Sequence, residues 1–133
     1  VLTASVPPRE ANVDRIIRPS KGTAGHDDRS MYRECAVSCL SIITHLLIEG
    51  GALATPAHIQ RLLDCARLCG VAGELVAGGS EFDSAALRLC AEACERCARE
   101  CARGGENPQL MQEFAALCRR CAQHCRETRL IRV

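Results

Sequence analysis

The spacing of the cysteines is the feature that most constrains how this chain can fold. Eleven cysteines fall in four segments, and within each segment they lie three or four positions apart. That step keeps side chains on one face of an α-helix. The groups are Cys35 and Cys39; Cys65 and Cys69; Cys90, Cys94, Cys97 and Cys101; and Cys118, Cys121 and Cys125. The sequence therefore predicts four helices, each with a row of thiols along one face.

Glycine pairs separate the four segments, and glycine suits the left-handed conformation that ends many helices. The pairs are Gly50-Gly51, Gly78-Gly79 and Gly104-Gly105. A helix-start signal follows each pair, either a capping residue before proline or a serine before acidic residues. These signals are Thr55-Pro56, Ser80 with Glu81 and Asp83, and Asn107-Pro108, while Asp27 or Asp28 could cap the first helix. The predicted helices span about 28–49, 57–77, 81–103 and 108–128.

Short connections between helices of similar length favour antiparallel neighbours. We therefore predict an all-α fold, an antiparallel up-down-up-down four-helix bundle with an N-terminal arm. Residues 1–28 form the arm, which is mostly irregular, and residues 29–129 form the cysteine-lined bundle. Val13, Ile16 and Ile17 give the arm a short apolar face that could dock on the bundle or on a neighbouring subunit. The cysteines concentrate toward one end of the bundle, and an apolar plug is expected at the other, built from Ile42, Ile43, Leu46, Ile59, Leu62 and Phe114.

Charge and hydropathy exclude several partners. The formal net charge is +1, so no broad attraction to nucleic acid or to a membrane surface is expected. No run approaches the roughly 18 apolar residues of a membrane span, and the start of the chain has no basic leader. An odd number of cysteines at helical spacing is a poor disulfide framework, whereas reduced thiols suit the cytoplasm. We therefore expect a cytoplasmic protein.

Converging rows of thiols indicate a site for soft metal ions, because thiolates select Cu(I), zinc and iron–sulfur clusters over hard cations. A monovalent ion suits such a core, since each thiolate charge is offset by one metal charge. Three alternatives remain open. The cysteines could pack as small hydrophobic residues, a structural zinc ion could use a closed set of four ligands, or the bundle could hold an iron–sulfur cluster.

The remaining polar residues give no pattern of an enzyme. The chain has no nucleophile–base arrangement, no Gly-rich phosphate loop and no inward Glu-x-x-His pair, so catalysis is not expected. Its histidines are scattered, and an ordinary surface histidine is the default interpretation for each. His124 and Met31 are the exception that we consider, because both should lie near the cysteine-rich end. They are candidates for guiding a metal ion into the bundle.

Two segments carry a family resemblance. The runs Cys90-Ala-Glu-Ala-Cys94-Glu-Arg-Cys97-Ala-Arg-Glu-Cys101 and Cys118-Arg-Arg-Cys121-Ala-Gln-His-Cys125, preceded by Leu63-Asp-Cys65-Ala-Arg-Leu-Cys69, resemble the bacterial copper storage proteins. The resemblance covers about residues 30–128. It implies a four-helix bundle that stores many Cu(I) ions on core cysteines, commonly as a homotetramer, with exported and cytosolic branches, and it suggests a copper chaperone as a partner. The lack of a leader is similar to the cytosolic branch.

This chain also departs from the family pattern. The first helix of the family usually carries more cysteines, whereas here only Cys35 and Cys39 precede Ile42, Ile43 and Leu46. The second helix likewise has only two. The resemblance therefore implies a smaller capacity than in the densest members, with filling confined to half of the bundle, or a shift toward another soft metal or a single cluster.

Overall fold

The computed structural model describes residues 28–131, which form four α-helices. They are α1 (Asp28–Glu49), α2 (Pro56–Ala77), α3 (Asp83–Cys101) and α4 (Pro108–Ile131). Each helix packs against the next one along the chain, and a smaller contact between α1 and α4 closes the ring. The predicted antiparallel four-helix bundle is therefore confirmed. The predicted arm, with its apolar residues Val13, Ile16 and Ile17, lies outside the described residues except for Asp28, where α1 begins.

Two of the predicted helix starts are confirmed by their capping hydrogen bonds. The hydroxyl of Thr55 accepts a hydrogen bond from the backbone N–H of His58 at 3.1 Å, with Pro56 in the first turn. The side-chain oxygen of Asn107 accepts one from the backbone N–H of Leu110 at 3.3 Å. Each cap satisfies a donor that the first turn of a helix leaves unpaired. Both helices therefore begin within one residue of the predicted position.

The predicted start of α3 is wrong by two residues. The hydroxyl of Ser80 accepts from the backbone N–H of Phe82 at 3.0 Å, and its carbonyl accepts from the N–H of Asp83 at 3.1 Å. Ser80 therefore closes a separate turn, and α3 begins at Asp83, which is buried although its acidic side chain suggested an outer position. A serine hydroxyl that bonds two residues ahead competes with the helix for the same backbone.

The connections α1–α2 and α3–α4 meet at one end of the bundle, which we name the second end. The first end holds the α2–α3 turn, the start of α1 and the end of α4. At the second end Gly105 has a φ of +66°, and a Cβ atom there would lie 2.9 Å from Cδ1 of Leu53. Leu53, in the α1–α2 connection, is buried. Glycine thus allows the two connections to pack on each other.

The apolar plug forms as predicted near the second end, where Ile42, Leu62 and Phe114 are fully buried. Ile43 and Leu46 are buried as well, and Ile59 is half-buried against the core. α1 corrects one expectation: by length and composition, Arg29–Glu49 could cross a membrane, with a mean hydropathy of 1.3. The apolar residues of α1 lie partly in the core and partly on its exposed face, where Val37, Leu40 and Leu47 are exposed.

Candidate metal centre

The core of the bundle is lined by sulfur. All eleven cysteine side chains are 0% exposed, and all are free thiols. The predicted convergence of four cysteine-bearing faces is therefore confirmed in its geometry. The cysteines lie on all four helices: Cys35 and Cys39 on α1, Cys65 and Cys69 on α2, Cys90, Cys94, Cys97 and Cys101 on α3, and Cys118, Cys121 and Cys125 on α4.

Cys94 lies at the centre of the sulfur network. Its Sγ atom is 3.6 Å from the Sγ atoms of Cys65 and Cys69 and 3.9 Å from that of Cys35. Three helices thus bring thiols to one point. Cys69 in turn lies 3.4 Å from Cys90 and 3.9 Å from Cys121, which joins α4 to the same network.

Three groups of cysteines have the mutual distances that one metal ion requires, with all sulfurs of a group within 4.8 Å of one another. The groups are Cys35, Cys65, Cys69 and Cys94; Cys69, Cys90, Cys94 and Cys121; and Cys39, Cys65 and Cys97. The first two groups share two sulfurs, and the first and third share one. Neighbouring ions would therefore be bridged by common thiolates, so the groups form one continuous array.

The three cysteines outside these groups extend the array. Cys118 lies close enough to Cys35 and Cys39 for these thiols to raise its pKa, and Cys121 has the same effect on Cys125 near the first end. Cys101 contacts Cys97 on the side toward the second end. Sulfur atoms therefore follow the bundle axis from the first end into the region of the apolar plug.

Contacts between the thiols lower the pKa values of some cysteines and raise those of others. Hydrogen bonds from Cys101 and Cys118 lower the pKa of Cys97 to about 6. Cys121 raises the pKa of Cys90, but contacts with Cys125 and Cys69 outweigh it and bring the value to about 6. Contacts within the array and burial raise the pKa values of the two terminal members, Cys101 and Cys125. The thiols of the metal-free core thus differ in acidity, and Cys90 and Cys97 release their protons more readily than the two terminal members.

His58 corrects the default interpretation of the histidines as surface residues. Its side chain is 1% exposed, and its Nε2 atom lies 3.4 Å from Sγ of Cys101. Burial lowers the pKa of the imidazole below its usual value and so favours the neutral ring. The sequence contains a signal for this placement, because His58 precedes Leu62, Cys65 and Cys69 on one helical face, with steps of four, three and four. His45 is also buried.

The predicted entry residues lie at the first end, as expected, but in different surroundings. Met31 is half-buried against the core. The ring of His124 packs edge-on against Tyr32, with the ring centroids 5.2 Å apart, and its Nε2 atom is buried without a hydrogen-bond partner among the described residues. The hydroxyl of the buried Tyr32 donates to Oγ1 of Thr128 at 3.3 Å. Tyr32 therefore packs in the core at the first end, beside His124.

Comparison with known proteins supports this geometry. None of the curated proteins matches the chain. Among solved structures, the Cu(I)-bound copper storage protein BsCsp3 is similar, with a TM-score of 0.67 and 27% identity over 75% of this chain and 92% of that one. A crystal structure of a Nitrosospira multiformis protein also has a TM-score of 0.67, with 25% identity over 92% of this chain and 98% of that one. Residues 24–130 match the sequence model of the copper storage proteins. The chain belongs to the copper storage protein family.

Proposed function

We propose that this protein stores several Cu(I) ions in its core, held by the thiolates of the eleven buried cysteines. The observation that carries the proposal is the sharing of sulfurs between neighbouring groups. Cys69 and Cys94 each belong to both four-sulfur groups. A thiolate shared in this way can bridge two ions, so the array suits a chain of linked metal sites. Family membership and the similarity to Cu(I)-bound BsCsp3 support the same function.

The sulfur–sulfur distances suit ions placed between the thiols. With a metal–thiolate bond of ~2.3 Å, two sulfurs on one ion at tetrahedral to trigonal angles lie roughly 3.8–4.0 Å apart. The Sγ atom of Cys94 lies 3.6–3.9 Å from those of Cys35, Cys65 and Cys69. Ions can therefore enter with shifts of a few tenths of an ångström. Little reorganisation of the helices is required.

Charge favours a monovalent ion. Each bound thiolate adds one negative charge to a core from which water is excluded, and uncompensated buried charge is costly. Each Cu(I) ion offsets one thiolate, so the array can fill without accumulating charge. A divalent ion in a closed set of four thiolates leaves two charges unbalanced at every site. Soft thiolate ligands also prefer Cu(I).

The packing of the sulfurs disfavours an iron–sulfur cluster. The Sγ atom of Cys94 is already in van der Waals contact with those of Cys65 and Cys69, each 3.6 Å away. A cluster of several iron and sulfide atoms held by four cysteines would have to push the helices apart. Single ions fit between the sulfurs, whereas a preformed cluster does not.

Several further properties belong to the same proposal. The protein acts in storage and is not a catalyst, and its free thiols suit a cytoplasmic location. It associates into a homo-oligomer, a tetramer by family resemblance. Exposed apolar residues on α1, among them Leu40, Leu47 and Ile48, support self-association. Ions are delivered by a copper chaperone and enter at the first end past Met31 and His124.

Anaerobic titration of the reduced protein with Cu(I), in competition with a chromophoric chelator, tests the proposal. We expect uptake of several ions before the chelator takes the excess, and we expect the loaded protein to be colourless. Protein grown with added copper should contain copper by elemental analysis. Saturation at zero or one ion, or a brown protein with broad visible absorption, would overturn copper storage.

A further inference from the structure

We propose that His58 and Cys101 form a mixed nitrogen–sulfur site for one Cu(I) ion, which terminates the thiolate array at the second end. This inference rests on the proposed copper storage and adds a ligand of a different chemistry. Nε2 of His58 faces Sγ of Cys101 across 3.4 Å, and both side chains are buried. Cys97, one turn earlier on α3, contacts Cys101 and connects the pair to the rest of the array.

The separation of the two atoms suits an ion between them. With metal bonds of ~2.3 Å to sulfur and ~2.0 Å to nitrogen, the two ligand atoms lie about 3.5 Å apart at a tetrahedral angle. The observed 3.4 Å is within a few tenths of an ångström of that value. Imidazole nitrogen is a common ligand of copper as well as of zinc. A single ion can therefore bind without a rearrangement of α2 or α3.

The second nitrogen of His58 gives an independent indication of a ligand role. Nδ1 is buried and has no hydrogen-bond partner among the described residues. A buried polar atom without a partner is costly, so the imidazole is not held in the core by hydrogen bonding alone. A metal bond at Nε2 would offset part of this cost. If the side chain at this position served only for packing, a leucine would fill the space without burying an unpaired polar atom.

Neighbouring interactions hold the pair in place. The hydroxyl of Thr55 caps α2 at the N–H of His58. One helical turn later, Arg61 forms an ion pair with Glu100 at 3.2 Å, and Glu100 immediately precedes Cys101. The cap fixes the start of α2, and the ion pair ties that start to the end of α3 beside the site. Such support fixes the distance between two ligands before an ion arrives.

A surface pocket of about 210 Å³ reaches this site. It lies between the two connections at the second end, and its walls include Leu53, Thr55, His58, Glu100 and Arg103. His58 is thus the member of the array that lies closest to an opening at this end. The pocket gives an ion a short path to the pair, although the apolar plug closes the rest of the second end.

Nitrogen-15 spectroscopy of the full-length protein tests the site directly. Protein labelled in the histidine rings is kept reduced and titrated anaerobically with Cu(I) supplied from a chromophoric chelator. The His58 signals are assigned by their loss in His58→Gln. We expect the Nε2 signal of His58 to move from the position of a free ring nitrogen to that of a metal-bound one. His45, a buried histidine outside the sulfur groups, serves as an internal comparison.

Variants add a second measurement. His58→Gln should bind one ion fewer than the wild type, whereas His58→Cys should restore the capacity because a thiolate can replace the imidazole. His45→Gln is the matched control, because His45 is also buried but belongs to none of the sulfur groups, and it should retain full capacity. If several ions bind and the His58 signals stay unchanged, this inference is overturned while copper storage stands. If no ion binds, both proposals are overturned.

Discussion

The Sγ atom of Cys94 on α3 lies 3.6 Å from the Sγ atom of Cys65 on α2, although the two residues are 29 positions apart in the chain. Cys94 makes two further contacts, with Cys69 and Cys35. It belongs to both four-sulfur groups, a position that it shares with Cys69. An ion bound in either four-sulfur group has Cys94 among its candidate ligands, so the loss of this thiol should affect more than one site.

Replacement of Cys94 should therefore reduce the Cu(I) capacity more than replacement of a terminal cysteine. We expect Cys94→Ser to lose more than one ion per chain, because the serine hydroxyl is a hard and neutral ligand. The measurement is an anaerobic Cu(I) titration against a chromophoric chelator. Cys125→Ser is the matched control and should lose about one ion, since Cys125 lies at the end of the array. Equal losses in the two variants would contradict the bridging role of Cys94.

The stability of the metal-free protein should fall at alkaline pH. The pKa values of Cys101 and Cys125 are raised above the ordinary value of 9.0, first by their cysteine neighbours and then by burial. Below pH 9 both thiols are protonated in the folded and unfolded states, and their contribution is fully present. Above pH 9 only the unfolded chain releases these protons. The free energy of unfolding should then decrease by about 1.4 kcal/mol per pH unit for each thiol.

At acidic pH the stability of the metal-free protein should also fall, and the cause there is a lowered pKa instead of a raised one. The pKa values of Cys90 and Cys97 are lowered to about 6 in the folded state, so their contribution is present above pH 9 and is lost as the pH falls through 6. Urea unfolding under anaerobic conditions between pH 5 and 10.5 measures the free energy of unfolding in both the acidic and the alkaline range. Cu(I)-loaded protein is the control, because its thiols are already deprotonated and the alkaline decrease should disappear. An alkaline decrease of equal size in the loaded protein would contradict this origin.

The sequence predicted the helices and the cysteine core because both depend on periodicity. Steps of three and four placed each row of thiols on one face, and short connections required neighbouring helices to be antiparallel. The height of each cysteine then followed from its distance to the helix end. Cys101, at the end of α3, accordingly lies beside His58 at the start of α2.

Other features depend on contacts that periodicity does not specify. The start of α3 was misplaced because the hydroxyl of Ser80 bonds to the N–H of Phe82 instead of capping a helix. His58 was taken as a surface residue because histidine suits water as well as a core, and its burial depends on the approach of Cys101 from α3. The sharing of sulfurs required the rotation of four helices about their axes. Spacing alone fixes a face, but not that rotation.

Two glycines of α2 should respond oppositely to alanine. A Cβ atom on Gly73 would lie 3.1 Å from Cβ of the buried Tyr32, so α1 would have to shift. We expect Gly73→Ala to destabilise the protein by up to about 2 kcal/mol, because overpacking costs about 1–3 kcal/mol and the better helix propensity of alanine offsets about 1 kcal/mol. Gly70 has no atom within 4 Å of such a Cβ, and Gly70→Ala should stabilise the helix by about 1 kcal/mol. Urea unfolding of the metal-free variants measures both changes, and stabilisation by Gly73→Ala would contradict the close approach of α1.

The apolar plug should matter for folding and not for metal capacity. Phe114 is fully buried near the second end, away from the three sulfur groups. We expect Phe114→Ala to lower the free energy of unfolding of the metal-free protein by about 3–5 kcal/mol, through lost burial and the cavity that remains. Phe82→Ala is the control, because Phe82 is 65% exposed and its removal should change stability by less than about 0.5 kcal/mol.

Cu(I) loading should compensate for the lost plug. A ligand that binds the folded state more tightly than the unfolded chain stabilises it by mass action, and the sulfur array is unchanged in Phe114→Ala. We therefore expect the variant to bind as many ions as the wild type and to recover most of its thermal stability when loaded. Thermal unfolding followed by circular dichroism, with and without Cu(I), measures the recovery. A reduced capacity in Phe114→Ala would show that the plug also positions the thiols, because the packing around Phe114 would then set the distances between sulfurs.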